Sequence, residues 1–230
     1  MKKLVVLSGA GISAESGLGT FRDKGGLWDE YPVEEVATYE AWLNNPSLVL
    51  DFYNKRREAV LSAKPNNAHI ALAQIEKNFD VTIVTQNIDD LHERAGSKDV
   101  LHLHGQILLG KSSVQEGDSN FVNVGAEGIK LGDRAPDGSQ LRPHVVWFGE
   151  PVPNIPRAEE IVAEAEILII IGTSLNVYPA ANLLYKARRG AKIYLVDKND
   201  VNAPKSISVH HVKGEASKTL PQLLSEISKI

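Results

Sequence analysis

The 230-residue chain contains no cysteine. Disulfides, thiolate metal sites and a cysteine nucleophile are therefore excluded. A basic excess is lacking too: 25 Lys and Arg stand against 29 Asp and Glu, for a net charge of −4. A general nucleic-acid binder would carry a basic footprint, so nucleic acid is not an expected partner. Long apolar runs are missing as well. The N-terminal run covers four residues before Ser8, too short for a secretory leader. No run approaches the roughly 20 residues of a membrane span. A cytoplasmic monomer without membrane contact is the expectation. With 43% hydrophobic residues, a chain of this length buries roughly 70% of its unfolded surface and needs no staple.

Four short apolar runs read as buried parallel strands: KLVVLS (3–8), VTIVTQ (81–86), EILIIIG (166–172) and KIYLVD (192–197). Between them lie segments of helical spacing at 67–79, 154–165 and 179–190. Strands alternating with helices predict an α/β fold, a Rossmann-like parallel sheet covered on both faces. Two stretches break the alternation. Residues 25–66 look mainly helical, and residues 106–141 are rich in Gly, Ser, Asp and Asn with no long periodic element. Both read as insertions. The expected division is a large domain of 1–24, 67–105 and 142–230, with a small module of 25–66 and 106–141.

In open α/β sheets, ligands bind beyond the carboxyl ends of the strands. The first strand ends in GAGISAESG, where Gly9, Gly11 and Ala14 fit the dinucleotide fingerprint. The glycines permit a tight turn and close approach of backbone N–H groups to a pyrophosphate. A plain strand–turn–helix junction is the alternative. The acid expected about 20 residues on is missing; Asp197, at the end of the fourth run, could hold a ribose or merely cap a turn. The second and third strand ends carry TQNIDD and GTSLNV. Such hydroxyls, amides and carboxylates suit ribose, phosphate and carboxamide groups, although they are also common turn formers.

Taken together, GAGISAESGLGTFRD, TQNIDDLHERAG, HLHG, RPHVVWFGE and GTSLNVYPAA resemble the sirtuins, the NAD-dependent protein lysine deacylases, in family order from Gly9 to Ala181. The resemblance implies NAD as co-substrate and acylated-lysine proteins as substrates. The acyl group passes to ADP-ribose and nicotinamide leaves. It implies that Gly9, Ala10, Gly11, Ser13, Phe21, Arg22 and Trp28 surround the pyrophosphate and nicotinamide ribose. Asn87, Ile88 and Asp89 are implied at the nicotinamide carboxamide, and Gln86 at its ribose. Gly172, Thr173, Ser174, Asp197, Lys198, Asn199 and Ala216 are implied at the adenosine end. The segment Val146, Trp147, Phe148 and Gly149 resembles the strand that pairs with the substrate peptide.

His104, directly before Gly105, matches the family's catalytic histidine, a base suited to deprotonating a ribose hydroxyl. His102 matches no required position. Residues two apart on one strand point to opposite faces, so a metal shared by both histidines is disfavoured, and His102 reads as a bonded core imidazole. On a helix starting near Pro46, Tyr53 and Arg56 stand three residues apart and share a face. A phenol beside a guanidinium can clamp a small carboxylate. The pair resembles the Tyr-x-x-Arg signature of sirtuins that remove succinyl and malonyl groups; the alternative is a solvated helix face, to which Lys55 and Arg57 are assigned.

Most sirtuins hold a structural zinc with four cysteines in the module after the catalytic histidine. Here that stretch offers Ser112 and Ser113 instead, and serine hydroxyls are poor zinc ligands. No metal is expected, and Phe121, Val122, Val124, Ile129 and Leu131 are the expected apolar anchors. The function expected is a deacylase for succinyl, malonyl and also acetyl groups. The alternative is a NAD-binding regulatory protein or an ADP-ribosyltransferase with weak deacylase activity.

Overall fold

A computed structural model describes residues 1–19, 30–114, 120–201, 204 and 206–229. The expected contacts of Phe21, Arg22 and Trp28 lie outside these residues. Contacts divide the chain into two units: Met1–Leu18, Lys64–Leu103 and Val152–Ile230 form the first, and Gly19–Ala63 with His104–Pro151 the second.

The first unit is built on a six-stranded parallel sheet. Its strands are β1 (Lys3–Ser8), β2 (Asp80–Thr85), β3 (Val100–His102), β7 (Ile167–Ile171), β8 (Lys192–Asp197) and β9 (His210–Lys213), in the order β3-β2-β1-β7-β8-β9. The four expected strands all form. Their unbroken apolar runs follow from burial on both faces. Leu4, Val6, Ile83, Ile169 and Ile171 pack on one side with α4 (Asn67–Ile75) and α7 (Ala216–Ile227). Val5, Leu7, Val84, Leu168 and Ile170 pack on the other with α6 (Ile155–Glu164). Asn66 caps α4: its side chain accepts from Ala68 N at 2.9 Å, while His69 Nδ1 accepts from Asn66 N at 3.3 Å. The segment expected as a helix over 179–190 is a 3₁₀ helix, Ala180–Lys186. Its buried Ala180, Ala181, Leu183 and Leu184 recur at the three-residue spacing of that helix.

Among the described residues, the second unit holds the helices α1 (Val33–Val36), α2 (Tyr39–Asn44) and α3 (Pro46–Ser62), and an antiparallel sheet. The sheet has the order β5-β4-β6, from β4 (Gly105–Ser112), β5 (Val122–Asn123) and β6 (Leu141–Val145). The eight-residue β4 corrects the reading of 106–141 as lacking a sizeable element. Its alternation of buried and part-buried positions slips phase between Leu108 and Leu109, where the register with β6 shifts, because an extra residue in a strand moves the following side chains to the other face. Since β4 pairs with β6, residues 142–151 fall in this unit rather than the first. Residues 64–66 go to the first unit with the α4 cap.

Two expectations inside this unit fail. Arg57 is not on a solvated face but 1% exposed. Its Nε donates to the Ile107 carbonyl at 2.9 Å and Nη1 to Asn54 Oδ1 at 2.6 Å, partners that replace water. Leu131 is no anchor: it is 56% exposed, whereas Ile129 is fully buried. Ile129 is drawn in by Asn54, which accepts from its N–H at 3.0 Å and donates to its carbonyl at 2.9 Å.

Ser112 lies in a polar knot. Its hydroxyl donates to Asp137 at 2.6 Å and stands 2.9 Å from Ser139 Oγ, which donates to the same carboxylate at 2.7 Å. Two hydroxyls and one carboxylate are not a zinc donor set. Among the described residues no group of three His, Asp or Glu side chains can hold a metal. Chelation is therefore expected to leave the melting temperature and turnover unchanged, with elemental analysis finding no stoichiometric zinc; one zinc per chain, removable only with loss of structure, would contradict this. No helix among the described residues is long and apolar enough to cross a membrane.

Candidate functional site

The order of the six-stranded sheet reverses between β1 and β7, and at such a switch point the loops diverge to leave a crevice at the carboxyl ends. The loops after β1, β2 and β7 meet there. Gly9 N donates to Ile171 O at 3.0 Å and Gly11 N to Gly172 O at 2.9 Å. A Cβ on Gly11 would lie 2.6 Å from Gly172 Cα, and one on Gly172, where φ is +64°, would lie 2.3 Å from Ile12 N. These glycines are thus required for loop-on-loop packing. That modifies the expectation for Gly11, whose N–H is already taken. Among the described residues the Ala10 N–H meets no acceptor.

Ser13 is the hub of the polar cluster. Its hydroxyl donates to Asp89 Oδ2 at 3.1 Å and accepts from Asn87 Nδ2 at 3.2 Å. Ser13, Asn87 and Asp89 are 1%, 7% and 6% exposed. Burial pushes the Asp89 carboxyl above its usual range, against the hydrogen bonds from Leu91 N and Ser13 that favour the anion. Gln86 Nε2 donates to Thr173 Oγ1 at 3.1 Å, which links the ends of β2 and β7. Ile88 is half-buried beside this cluster, and Ser174 is half-buried in the loop after β7. At the end of β8, Asp197 Oδ1 accepts from Asn199 N at 2.8 Å. One carboxylate oxygen therefore caps a turn; Lys198 and Asn199 are exposed, and Ala216 opens α7.

Two buried histidines that the motifs did not signal, His69 and His92, underlie this cluster, beside His102, which is the bonded core imidazole expected. His69 Nε2 lies 3.5 Å from Ser13 Oγ, His92 Nε2 lies 3.0 Å from Ser8 Oγ, and the two rings meet edge-on at 5.0 Å. Only the polar character of the N-cap segment before α4 hinted at His69. His102 lies between the Asn87 carbonyl, 2.8 Å from Nδ1, and Glu93 Oε1, 2.7 Å from Nε2. Burial alone would lower the His102 pKa, but Glu93 and the Asn87 carbonyl together raise it.

His69, by contrast, is driven down to about 4 by burial, helped by Arg94, and burial drives His92 well down. Below pH 6.5 the unfolded chain binds protons that folded His69 and His92 refuse, so stability falls with pH. For His69 alone the loss between 6.5 and 4 is on the order of 3 kcal/mol. The raised pKa of His102 acts above 6.5: its contribution is full below that value and fades as pH rises through the folded pKa. Stability is expected to crest near pH 6.5. Urea melts from pH 4.5 to 8.5 check this, and a curve flat down to pH 4.5 would contradict neutral burial.

His102 and His104 do not share a strand. His102 ends β3 in the first unit; Leu103 N closes the pairing onto Thr85 O at 2.8 Å; His104 opens the second unit. The alternation argument therefore does not apply to them. Gly105 follows directly and starts β4. Its φ is +82°, and a Cβ there would lie 2.2 Å from the His144 carbonyl. The half-buried His104 is held by its backbone, whose carbonyl accepts from Val146 N at 2.9 Å.

In the second unit, Tyr53 and Arg56 lie on α3 as expected. Tyr53 is 2% exposed and Arg56 half-buried. Burial raises the Tyr53 phenol to about 12, against the opposing charge of Arg56. Past β6, Val146 N bonds to His104, and Phe148 N donates to Ala37 O at 2.9 Å. Gly149 turns the chain at φ +88°. The turn carries Glu150 back onto Trp147, whose N–H it accepts at 2.8 Å, and onto the buried Arg142.

The Sir2 family model matches residues 9–179. The chain belongs to the Sir2 family. Among its curated relatives, a NAD-dependent protein deacylase of Bacteroides thetaiotaomicron is 52% identical over 226 residues, covering 97% of both chains. A second, from Helicobacter pylori strain J99, is 50% identical over 227 residues, covering 99% of this chain and 96% of the relative. A solved Sir2 homologue in complex with NAD superposes with a TM-score of 0.87 at 38% identity, covering 99% of this chain and 90% of the other. The six-stranded Rossmann-like sheet is thus the Sir2 fold.

Proposed function

We propose that this NAD-dependent protein deacylase of the Sir2 family acts preferentially on lysines bearing short acidic acyl groups, succinyl and malonyl, with acetyl as a poorer substrate. The preference is carried by one observation: Tyr53 and Arg56 stand one helical turn apart on α3, a neutral donor beside a fixed positive charge. An acidic acyl group gains charge-assisted bonds there that acetyl cannot make.

In this reading the Ala10 N–H meets the pyrophosphate of NAD. Asn87 and Asp89, tied through Ser13, orient the nicotinamide carboxamide, and Gln86 and Thr173 meet ribose. The Asp197 turn lies at the adenosine end. The acyl oxygen of the lysine amide attacks C1′ as the bond to nicotinamide breaks. His104 then takes the proton from a ribose hydroxyl, which attacks the imidate carbon. Water completes release of free lysine and O-acyl-ADP-ribose.

The test is an assay with NAD and matched acetyl-, succinyl- and malonyl-lysine peptides, following nicotinamide release and peptide mass together. The expected result is stoichiometric nicotinamide and deacylated peptide, with kcat/KM highest for the acidic peptides. Equal kcat/KM for acetyl and succinyl would overturn the acyl preference. Nicotinamide release with ADP-ribose added to protein would replace deacylation by ADP-ribosyl transfer.

A further inference from the structure

The Tyr53 hydroxyl makes a single hydrogen bond among the described residues, accepted from Trp147 Nε1 at 3.1 Å. An indole N–H is a donor only. The bond therefore occupies a lone pair of the phenol oxygen and leaves the phenol hydrogen without an acceptor. A buried hydroxyl in that condition is unfavourable unless something else completes it.

The indole is itself fixed. Arg142 Cζ lies 3.7 Å from its ring centroid, and the Trp42 ring packs 5.8 Å away. The guanidinium of Arg142, 2% exposed, donates to both Glu150 oxygens at 2.8 and 2.9 Å, and Glu150 also holds the Trp147 backbone N–H. Burial tends to raise the Glu150 pKa, but Arg142 outweighs it and keeps the carboxylate charged. A rigid ion pair thus holds a rigid indole against one particular hydroxyl.

We propose that Trp147 is a positioning residue for acyl selectivity: by donating to Tyr53 it commits the phenol hydrogen to the carboxylate of an acidic acyl-lysine. The proposal rests on the acidic-acyl preference put forward above. Without the indole N–H the phenol can turn its hydrogen elsewhere, and the acyl carboxylate loses an aligned donor. Acetyl-lysine offers no anion to that hydrogen, so the effect belongs to the acidic substrates.

The experiment compares Trp147→Phe, Tyr53→Phe and the double variant on succinyl- and acetyl-lysine peptides with saturating NAD. Trp147→Phe keeps a ring over Arg142 but has no N–H. Its succinyl-to-acetyl ratio of kcat/KM is expected to fall roughly tenfold, mainly through KM for the succinyl peptide. The double variant is expected to have the same ratio as Tyr53→Phe alone, because Trp147 acts through Tyr53. Equal losses on both peptides, or additive effects in the double variant, would overturn the proposal. A ratio that moves with Tyr53→Phe but not with Trp147→Phe defeats this inference alone. A ratio moved by neither defeats the acidic-acyl reading as well. If Trp147→Phe fails to fold, benzothienylalanine at the same position keeps the shape without the N–H and is judged by the same outcomes.

Discussion

Replacing His104 with alanine is expected to lower deacylation by about 100- to 10,000-fold, the usual range for loss of a positioned general base. NAD affinity and the melting temperature are expected to stay close to those of the parent chain. The reason is one of timing and place. The base acts after NAD has bound, and His104 is half-buried and held in position by its backbone. His102→Ala is expected to behave in the opposite way. His102 is 5% exposed and joins the Asn87 carbonyl to Glu93, so its loss strips partners from buried groups at about 1–3 kcal/mol. That variant should melt earlier yet keep most of its turnover at temperatures where it stays folded. Calorimetric titration with NAD, thermal melts and single-turnover assays separate the two. Equal catalytic losses in two folded variants would show that the base has been misassigned.

Arg56→Met is expected to lower kcat/KM for succinyl-lysine by roughly 10- to 100-fold and for acetyl-lysine far less. Hydrogen bonds to a charged group are worth about 1.5–3 kcal/mol, and only the acidic acyl group offers that charge. The substitution keeps an unbranched stem but removes the charge at a half-buried position of α3. The helix stays anchored through its neighbours, because Asn54 and Arg57 bind Ile129 and Ile107 from the same helix. Loss of turnover is therefore separable from loss of fold by a melt. Parallel decline on both peptides would make Arg56 a structural residue and remove the clamp.

Much of the candidate site was legible because its proposed chemistry is local. The glycines after β1, the amide and acid after β2 and the hydroxyls after β7 each sit at a strand end, and strand ends are marked by where an apolar run stops. The Tyr53–Arg56 spacing was legible because a helix brings i and i+3 together wherever it occurs. His69, His92 and Glu93 were not legible. His69 and His92 depend on partners far off in the chain, Ser13 and Ser8, and Glu93 on His102 across the turn from its helix to β3; no period in the sequence encodes such pairings. Arg142 and Glu150 were hidden likewise: one precedes and one follows the Val146–Gly149 segment, and only the turn at Gly149 brings them together.

By itself the sequence determined the class of the fold, since runs such as LVVL and ILIII can be satisfied only by a sheet covered on both faces. It also determined that no thiolate chemistry is possible, and that the polar clusters lie at carboxyl ends of strands. Tertiary structure decided the rest. It parted His102, at the end of one strand, from His104, which opens the second unit just before Gly105. It turned Arg57 from an apparent surface charge into a buried brace, and used the N–H of Gly11 for packing. It also set an indole against Tyr53. In each case the deciding quantity is the burial of a polar group, and burial is a property of the surroundings that fold over a residue, not of the residue or its neighbours in sequence.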